Sequence, residues 1–259
     1  MWAVAFAGGG TRITVRTYGR SHRGLRRPNN EDAYLIRPLA DDGVLVAVAD
    51  GVGGGPAGQE ASRLALETLD GAVAGKVTDI ALLASAVSLA NRRIYESSQR
   101  DDALAGMGTT LTSAVIFPHR LLVAHVGDSR AYQLGEEQLV RLTVDHSLAG
   151  EMEALGELSA EEAQNHPNRH VLTRVVGPFD HVRIDVTDLP WTARDRLLLC
   201  TDGLTAVLSD HDIWESSRRF SGWDLVDSLI ALALERGGPD NITVVLAESV
   251  PEQGDSHGR

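Results

Sequence analysis

Four aspartates stand where short apolar runs stop or start. Val44-Leu45-Val46-Ala47-Val48-Ala49 leads into Asp50-Gly51, and Leu121-Leu122-Val123-Ala124-His125-Val126 leads into Gly127-Asp128. Leu197-Leu198-Leu199-Cys200-Thr201 leads into Asp202-Gly203, while Pro239-Asp240-Asn241 precedes Ile242-Thr243-Val244-Val245-Leu246. A single Asp at a strand end is an ordinary turn residue. Four at the ends of neighbouring strands can converge, and converged carboxylates repel unless protons or cations compensate. Hard divalent ions with oxygen ligands, Mn²⁺ or Mg²⁺, match such a set; soft metals would need Cys or clustered His. Arg20, Arg23, Arg26 and Arg27 lie just ahead of Asn29-Asn30-Glu31-Asp32. Alone they read equally well as a solvated basic turn, but a guanidinium also holds a phosphate or carboxylate bidentately. Arginines beside carboxylates are the arrangement that metal-assisted attack on a phosphate requires.

The elements that must position these groups follow from periodicity. The apolar runs read as strands buried on one or both faces, and so does Thr109 to Phe117, with Pro118-His119-Arg120 as its turn. Val182 to Val186 reads as a shorter strand. Ala61, Leu64, Ala65, Thr68, Leu69 and Ala72 follow helical spacing, as do Ile80, Leu83, Ala84, Val87 and Ile94, with Thr78-Asp79 as a cap. Leu225, Leu229 and Leu232 line a third helix, stopped by Gly237-Gly238-Pro239. Strands in adjacent pairs with hairpin-length links favour antiparallel sheets over a βαβ array. The polar stretch 148–170, with a capping box at Ser159-Ala160-Glu161-Glu162, reads as a small flap on the main body.

Composition narrows the class. With 259 residues, 43% hydrophobic and 23% charged, the chain has an ordinary globular balance and can bury its own core. A net charge of −12 argues against a duplex nucleic-acid binder and against adhesion to anionic lipid. No apolar run approaches the ~18–20 residues of a membrane span, and the first residues lack a basic signal region. The one cysteine, Cys200, excludes a multi-cysteine metal site and reads as a buried, inert thiol. These features point to a cytoplasmic protein, with monomer as the default. Gly53-Gly54-Gly55-Pro56-Ala57-Gly58 imitates the dinucleotide-binding G-x-G-x-x-G. The acid that motif wants at the end of a second strand is missing, because the chain runs on into helical pattern past Leu69.

Six blocks occur in order: Arg27-Pro28-Asn29-Asn30-Glu31-Asp32, Ala49-Asp50-Gly51-Val52-Gly53-Gly54, Gly106-Met107-Gly108-Thr109-Thr110, Val126-Gly127-Asp128-Ser129-Arg130, Thr201-Asp202-Gly203-Leu204 and Gly238-Pro239-Asp240-Asn241-Ile242-Thr243. Together, over about residues 14 to 248, they resemble the bacterial branch of the metal-dependent Ser/Thr protein phosphatases, the PPM or type 2C family. The resemblance implies an α+β, four-layer αββα sandwich: two antiparallel β-sheets flanked by helix pairs, with a small flap insert. It implies one catalytic domain over 13–249, a flexible N-terminus over 1–12 and a flexible tail over 250–259.

On matching positions, the resemblance assigns two Mn²⁺ or Mg²⁺ ions to Asp50, the Gly51 carbonyl, Asp202 and Asp240, with Glu31 and Asp32 acting through water. Asp128, with Asp202, looks like the ligand pair of a third, weaker metal. Arg27 would grip the substrate phosphate and Asn241 would support the site from beside Asp240. The implied reaction is hydrolysis of phosphoserine or phosphothreonine in proteins by a hydroxide bridging the metals, without a covalent phospho-enzyme, opposing a Ser/Thr kinase. A phosphatase of an anti-sigma-antagonist type of protein is a narrower version. A pseudophosphatase that binds phosphoproteins without turnover, and a nucleotide-binding regulator, are the other classes. Three departures from the pattern stand out: Val52 and Gly55 occupy positions where relatives carry a His, and His22 replaces the usual Asp of Ser-Asp-x-Gly. The other histidines show no ligand spacing and read as structural or solvated.

Overall fold

The computed structural model describes residues 2–6, 13–40, 43–73, 77 and 79–251. The chain begins with strands β1 (Trp2–Phe6), β2 (Ile13–His22), β3 (Asp32–Pro38) and β4 (Val44–Val52), then helices α1 (Pro56–Val73) and α2 (Ile80–Ser98). Strands β5 (Gly108–Thr109), β6 (Leu111–Phe117), β7 (Arg120–Val126), β8 (Arg130–Leu134) and β9 (Leu139–Arg141) follow. Helices α3 (Leu148–Ala154) and α4 (Ala160–Gln164) precede β10 (Asp185–Pro190) and β11 (Arg196–Cys200). Helices α5 (Asp202–Thr205), α6 (Asp210–Arg219) and α7 (Gly222–Glu235) lead to the last strand, β12 (Ile242–Pro251).

Period-2 alternation sorts the strands into layers. One sheet runs β1-β2-β12-β11-β8-β9 and the other β10-β7-β6-β4-β3, with β5 against the end of β4; every ladder is antiparallel. Val44, Val46 and Val48 of β4 meet Leu197, Leu199, Val245 and Ala247 of the other sheet. Leu45, Ala47 and Ala49, on the opposite face of β4, pack under Leu64, Leu69, Leu83 and Val87 of α1 and α2. Beyond the other sheet, Leu198, Cys200, Val244 and Leu246 face Leu225, Leu229 and Ala233 of α7. Three apolar interfaces separate four layers, which gives the αββα sandwich.

Helix ends follow local chemistry. Pro56 opens α1, where its missing N–H costs nothing. The Asp79 side chain accepts from the Leu82 amide at 3.0 Å to cap α2, while Thr78 lies outside the described residues. The Ser159–Glu162 capping box is present in both directions. Gly237 and Gly238 donate to the carbonyls of Leu234 and Ala233 and end α7.

Four expectations shift. Residues 2–6, read as part of a flexible N-terminus, form a strand that pairs antiparallel along the edge of β2 from Trp2↔Thr17 to Phe6↔Ile13. Residues 1 and 7–12 lie outside the described residues. Residues 250 and 251 belong to β12, while 252–259 lie outside the described residues. The strand read over Val182–Val186 starts at Asp185 and continues to Pro190, since its ladder with β7 sets its limits. Residues 148–170 do form the insert, but it is rooted one step further out, by a bridge between Ser147 and Leu172 and by the Leu148 amide donating to the Val171 carbonyl. Cys200 is fully buried, and burial pushes its thiol up to about 12, so it is not a nucleophile near neutral pH. Among the described residues no helix is long and apolar enough to cross a membrane.

Candidate active site

The aspartates meet because strand ends from both sheets meet. Asp50 pairs with Asp32 across the β3–β4 ladder. Asp128 sits in the turn after β7, Asp202 opens α5 directly after β11, and Asp240 stands just before β12. The β11 and β12 ends are tied by the Thr201 amide donating to the Thr243 carbonyl at 3.1 Å. Asp50, the Gly51 backbone, Asp128, Asp202 and Asp240 line one cleft of about 690 Å³, together with Arg27 and Glu31. The flap brings Arg169 and His170 to the same cleft, with His170 Nδ1 3.8 Å from Asp202 Oδ2. Nothing in the spacing of His170 marked it; the flap's path alone places it there.

The arginine loop is held by Asn241. Its Oδ1 accepts from the Glu31 amide at 2.7 Å, and its Nδ2 donates to the carbonyls of Arg23 and Asn29 at 2.8 and 2.9 Å. This fixes Arg27, whose Nη2 donates to Asp240 Oδ2 at 2.7 Å. Of the four clustered arginines, Arg27 alone lines the cleft. Arg20 turns away to Asp227 at 2.9 Å and lies over the Trp223 ring, and Arg23 donates to the Pro28 carbonyl. The departure at His22 has a local use: its Nδ1 accepts from the Gly24 amide at 2.9 Å and shapes the turn.

Glu31 and Asp32 are more engaged than a role through water alone requires. Glu31 Oε1 accepts from the Gly55 amide at 2.7 Å, so the glycine-rich turn that imitates a phosphate loop receives a carboxylate of its own chain. Asp32 Oδ2 accepts from Thr201 Oγ1 at 2.8 Å and Thr243 Oγ1 at 2.6 Å, while its Oδ1 is buried without a hydrogen-bond partner among the described residues. Thr110 holds Asp50 by both backbone groups: its Oγ1 accepts from the Asp50 amide at 3.0 Å, and its own amide donates to the Asp50 carbonyl at 2.8 Å. Thr110, Thr201 and Thr243 sit inside the blocks quoted from the sequence, but the aspartates they hold are 60 to 211 residues away and no local spacing reveals them.

The electrostatics explain what the cleft can hold. Burial, with mutual repulsion added, raises Asp50 and Asp128 well above the usual carboxylate range; burial raises Asp32 to about 7, partly opposed by Thr243 and Thr201. The carboxylates share the cleft without closing into a ligand set. Among the described residues no three acidic, His or Cys side chains are grouped to hold one ion, and Asp240 is paired with Arg27. The donors nevertheless fit hard divalent cations. They are all oxygens, the carboxylates crowd one another, and among the described residues the buried Asp32 Oδ1, beside Asp50 in the β3–β4 ladder, has no hydrogen-bond partner. Gathering them around ions asks Asp240 and Arg27 to part, a side-chain rotation on a partly exposed pair.

A double antiparallel sandwich whose strand ends gather carboxylates and one arginine defines a metal-assisted phosphohydrolase in architecture. The comparisons agree: the model of the family described as Protein phosphatase 2C matches residues 18–239, and the chain belongs to that family. Serine/threonine phosphatase stp of Listeria monocytogenes is 38% identical over 242 residues, covering 88% of this chain and 94% of the relative. Serine/threonine protein phosphatase PstP of Mycobacterium tuberculosis is 37% identical over 92% of this chain, which spans 46% of that longer protein. The crystal structure of the PstP catalytic domain in complex with two manganese ions superposes with a TM-score of 0.82 at 36% identity, over 92% of this chain and 99% of that one. Stp1 of Staphylococcus aureus gives 0.85 at 31% identity, over 90% of this chain and 94% of that one.

Proposed function

We propose that this chain is a Mn²⁺- or Mg²⁺-dependent protein serine/threonine phosphatase acting on phosphoserine and phosphothreonine in proteins, opposing a Ser/Thr kinase. The observation that carries the reading is the convergence of Asp50, Asp128, Asp202, Asp240 and Arg27 in one cleft. Asp50, Asp202, Asp240 and the Gly51 carbonyl would hold two ions, Asp128 with Asp202 a third, and Glu31 and Asp32 would act through water. When bound, such ions lower the pKa of a water and neutralise phosphoryl charge.

The chain's own residues then have definite tasks. Arg27 leaves Asp240 and donates to two phosphoryl oxygens, orienting phosphorus for in-line attack. Asn241 keeps the Arg23–Glu31 loop at the height that allows this. In this reading the nucleophile is water, as the family resemblance implies, and Thr110, the one hydroxyl side chain lining the cleft, is engaged with the Asp50 amide. No phospho-enzyme forms. The protein acts in the cytoplasm as a monomer.

The test is phosphate release from a phosphothreonine peptide with Mn²⁺ and after chelation. Mn²⁺-dependent release is expected, and no release at saturating Mn²⁺ favours the pseudophosphatase reading, with Val52 and His22 the first positions to exchange. Arg27→Ala should lower kcat/KM by roughly 10–100-fold, the loss of a charge-assisted contact worth about 1.5–3 kcal/mol. Steady-state kinetics on the same peptide check this, and an unchanged kcat/KM would remove Arg27 from the phosphate site.

A further inference from the structure

The turn that carries Asp128 is gripped by a buried imidazole that the sequence did not single out. The Gly127 amide donates to His146 Nδ1 at 3.1 Å, and the His146 amide donates to the Gly127 carbonyl at 2.8 Å. Because Nδ1 accepts, the ring proton is on Nε2, which donates to Asp185 Oδ2 at 3.1 Å. Arg174 Nη1 donates to the other oxygen of Asp185 at 2.6 Å. The His146 carbonyl accepts from the Thr173 amide at 2.9 Å. Ser147, the next residue, bridges to Leu172. One side chain and its backbone therefore touch both the turn of Asp128 and both strands of the flap root.

The turn has no slack on its other side. Gly127 has φ +112°, and a Cβ there would lie 2.5 Å from Thr110 Cβ. Thr110 is the residue that holds the Asp50 backbone, and its hydroxyl is 2.8 Å from that of Ser129, just past Asp128. The His125 ring, centred 4.6 Å from that of His146, closes a further side. The position of Asp128 is thus set between Thr110 and His146.

We propose that His146 is a positioning residue: its Nδ1 acceptor fixes the Gly127–Asp128 turn relative to the flap root, and so sets how tightly the Asp128 side of the cleft takes a divalent cation. This rests on the reading of Asp128 as a cation ligand. His146 touches neither substrate nor cation; it acts through the turn. Outer partners of this kind alter metal affinity or activity by about 10–100-fold when removed.

Two substitutions separate the ends of the ring. His146→Asn keeps an oxygen where Nδ1 stands and loses the bond to Asp185. His146→Gln carries its amide to the Nε2 position and releases Gly127. Mn²⁺ alone is titrated calorimetrically into wild type, Asp128→Ala and both variants, and amide hydrogen exchange is followed at Gly127. Expected are fast exchange at Gly127 and about 10–100-fold weaker Asp128-dependent Mn²⁺ binding in His146→Gln, with His146→Asn near wild type in both. A role confined to packing would lower melting temperature in both variants alike and leave Mn²⁺ affinity equal.

His146→Gln binding Mn²⁺ as tightly as wild type, or His146→Asn losing as much as His146→Gln, overturns the proposal. Wild type with no Mn²⁺ binding that depends on Asp128 overturns the ligand reading itself, and the proposal with it. Should His146→Gln fail to fold, Asp185→Ala serves, since it frees Nε2 at a partly exposed position. Keeping the Nδ1 acceptor and losing only the bond that His146→Asn also loses, it should bind Mn²⁺ near wild type, and Asp128-dependent binding weakened by about 10-fold or more would overturn the proposal.

Discussion

Asp50→Asn should abolish turnover and, in the absence of metal, make the protein more stable. The two effects have one cause. Asp50 is half-buried beside Asp32, Asp202, Asp128 and Asp240, and both desolvation and their charges oppose its ionisation. That uncompensated charge would hold the cations, so its loss should cost at least about 10²-fold in kcat, the size seen when one preorganised electrostatic group is removed. The same charge opposes folding when no cation is present.

The sign follows from linkage. A carboxyl whose folded pKa lies above its unfolded value of 3.8 favours folding most when protonated. That contribution is full below the unfolded pKa and is lost as pH rises to the folded one. For Asp32 the loss spans the interval from 3.8 to about 7. Chelated wild type should therefore melt lower at pH 8 than at pH 5.5 as far as this cluster decides. Asp50→Asn should raise the pH 8 melting point by about 2–4 °C for each kcal/mol of repulsion removed. Mn²⁺, by binding only the folded state, should raise wild type and do little for the variant. Scanning calorimetry with chelator and with Mn²⁺ measures all four cases. A variant that melts below wild type in chelator at pH 8 would show that Asp50 is not held against repulsion.

Gly203→Ala should damage fold and site together. A Cβ at Gly203 would lie 1.8 Å from the Asn241 carbonyl oxygen and 3.3 Å from Asp240 Cβ. The clashing oxygen is backbone, so no rotamer change relieves it; α5 and the start of β12 must separate. Overpacking costs about 1–3 kcal/mol in general, and a backbone clash belongs at or above the upper end. A fall in melting temperature of at least about 6 °C follows for a chain of this size. The displaced segment includes Asp240, and Asn241 with its three bonds to the arginine loop, so turnover with Mn²⁺ should fall well beyond the loss of folded protein. Melting curves and phosphopeptide kinetics at a temperature where the variant is folded separate the two effects. Melting within about a degree of wild type would mean that α5 and β12 are not in register-fixed contact.

What the sequence determined alone was local. Apolar runs such as Val44–Ala49 and Leu197–Cys200 read as buried strands, because they are short, apolar throughout and bounded by turn residues. Helical spacing, Asp79 and Ser159–Glu162 fix helices and their starts, since a cap acts within three residues. The six blocks identified the family and named Asp50, Asp202, Asp240 and Arg27 as candidates because turn chemistry and charge are written in residue type. What only the tertiary structure decided was pairing. The β3–β4 register puts Asp32 opposite Asp50, and a slip of one residue would have turned it to the other face. Residues 2–6 form a strand by pairing along the edge of β2, a fact external to their own sequence. Thr110, Thr201, Thr243 and His146 acquire their tasks from partners across the sheets. Arg20 loses the task its spacing offered, because it finds Asp227 and Trp223 first. Hydrogen bonds depend on where a partner stands in space, and for groups far apart along the chain only the packing of the two sheets sets that position.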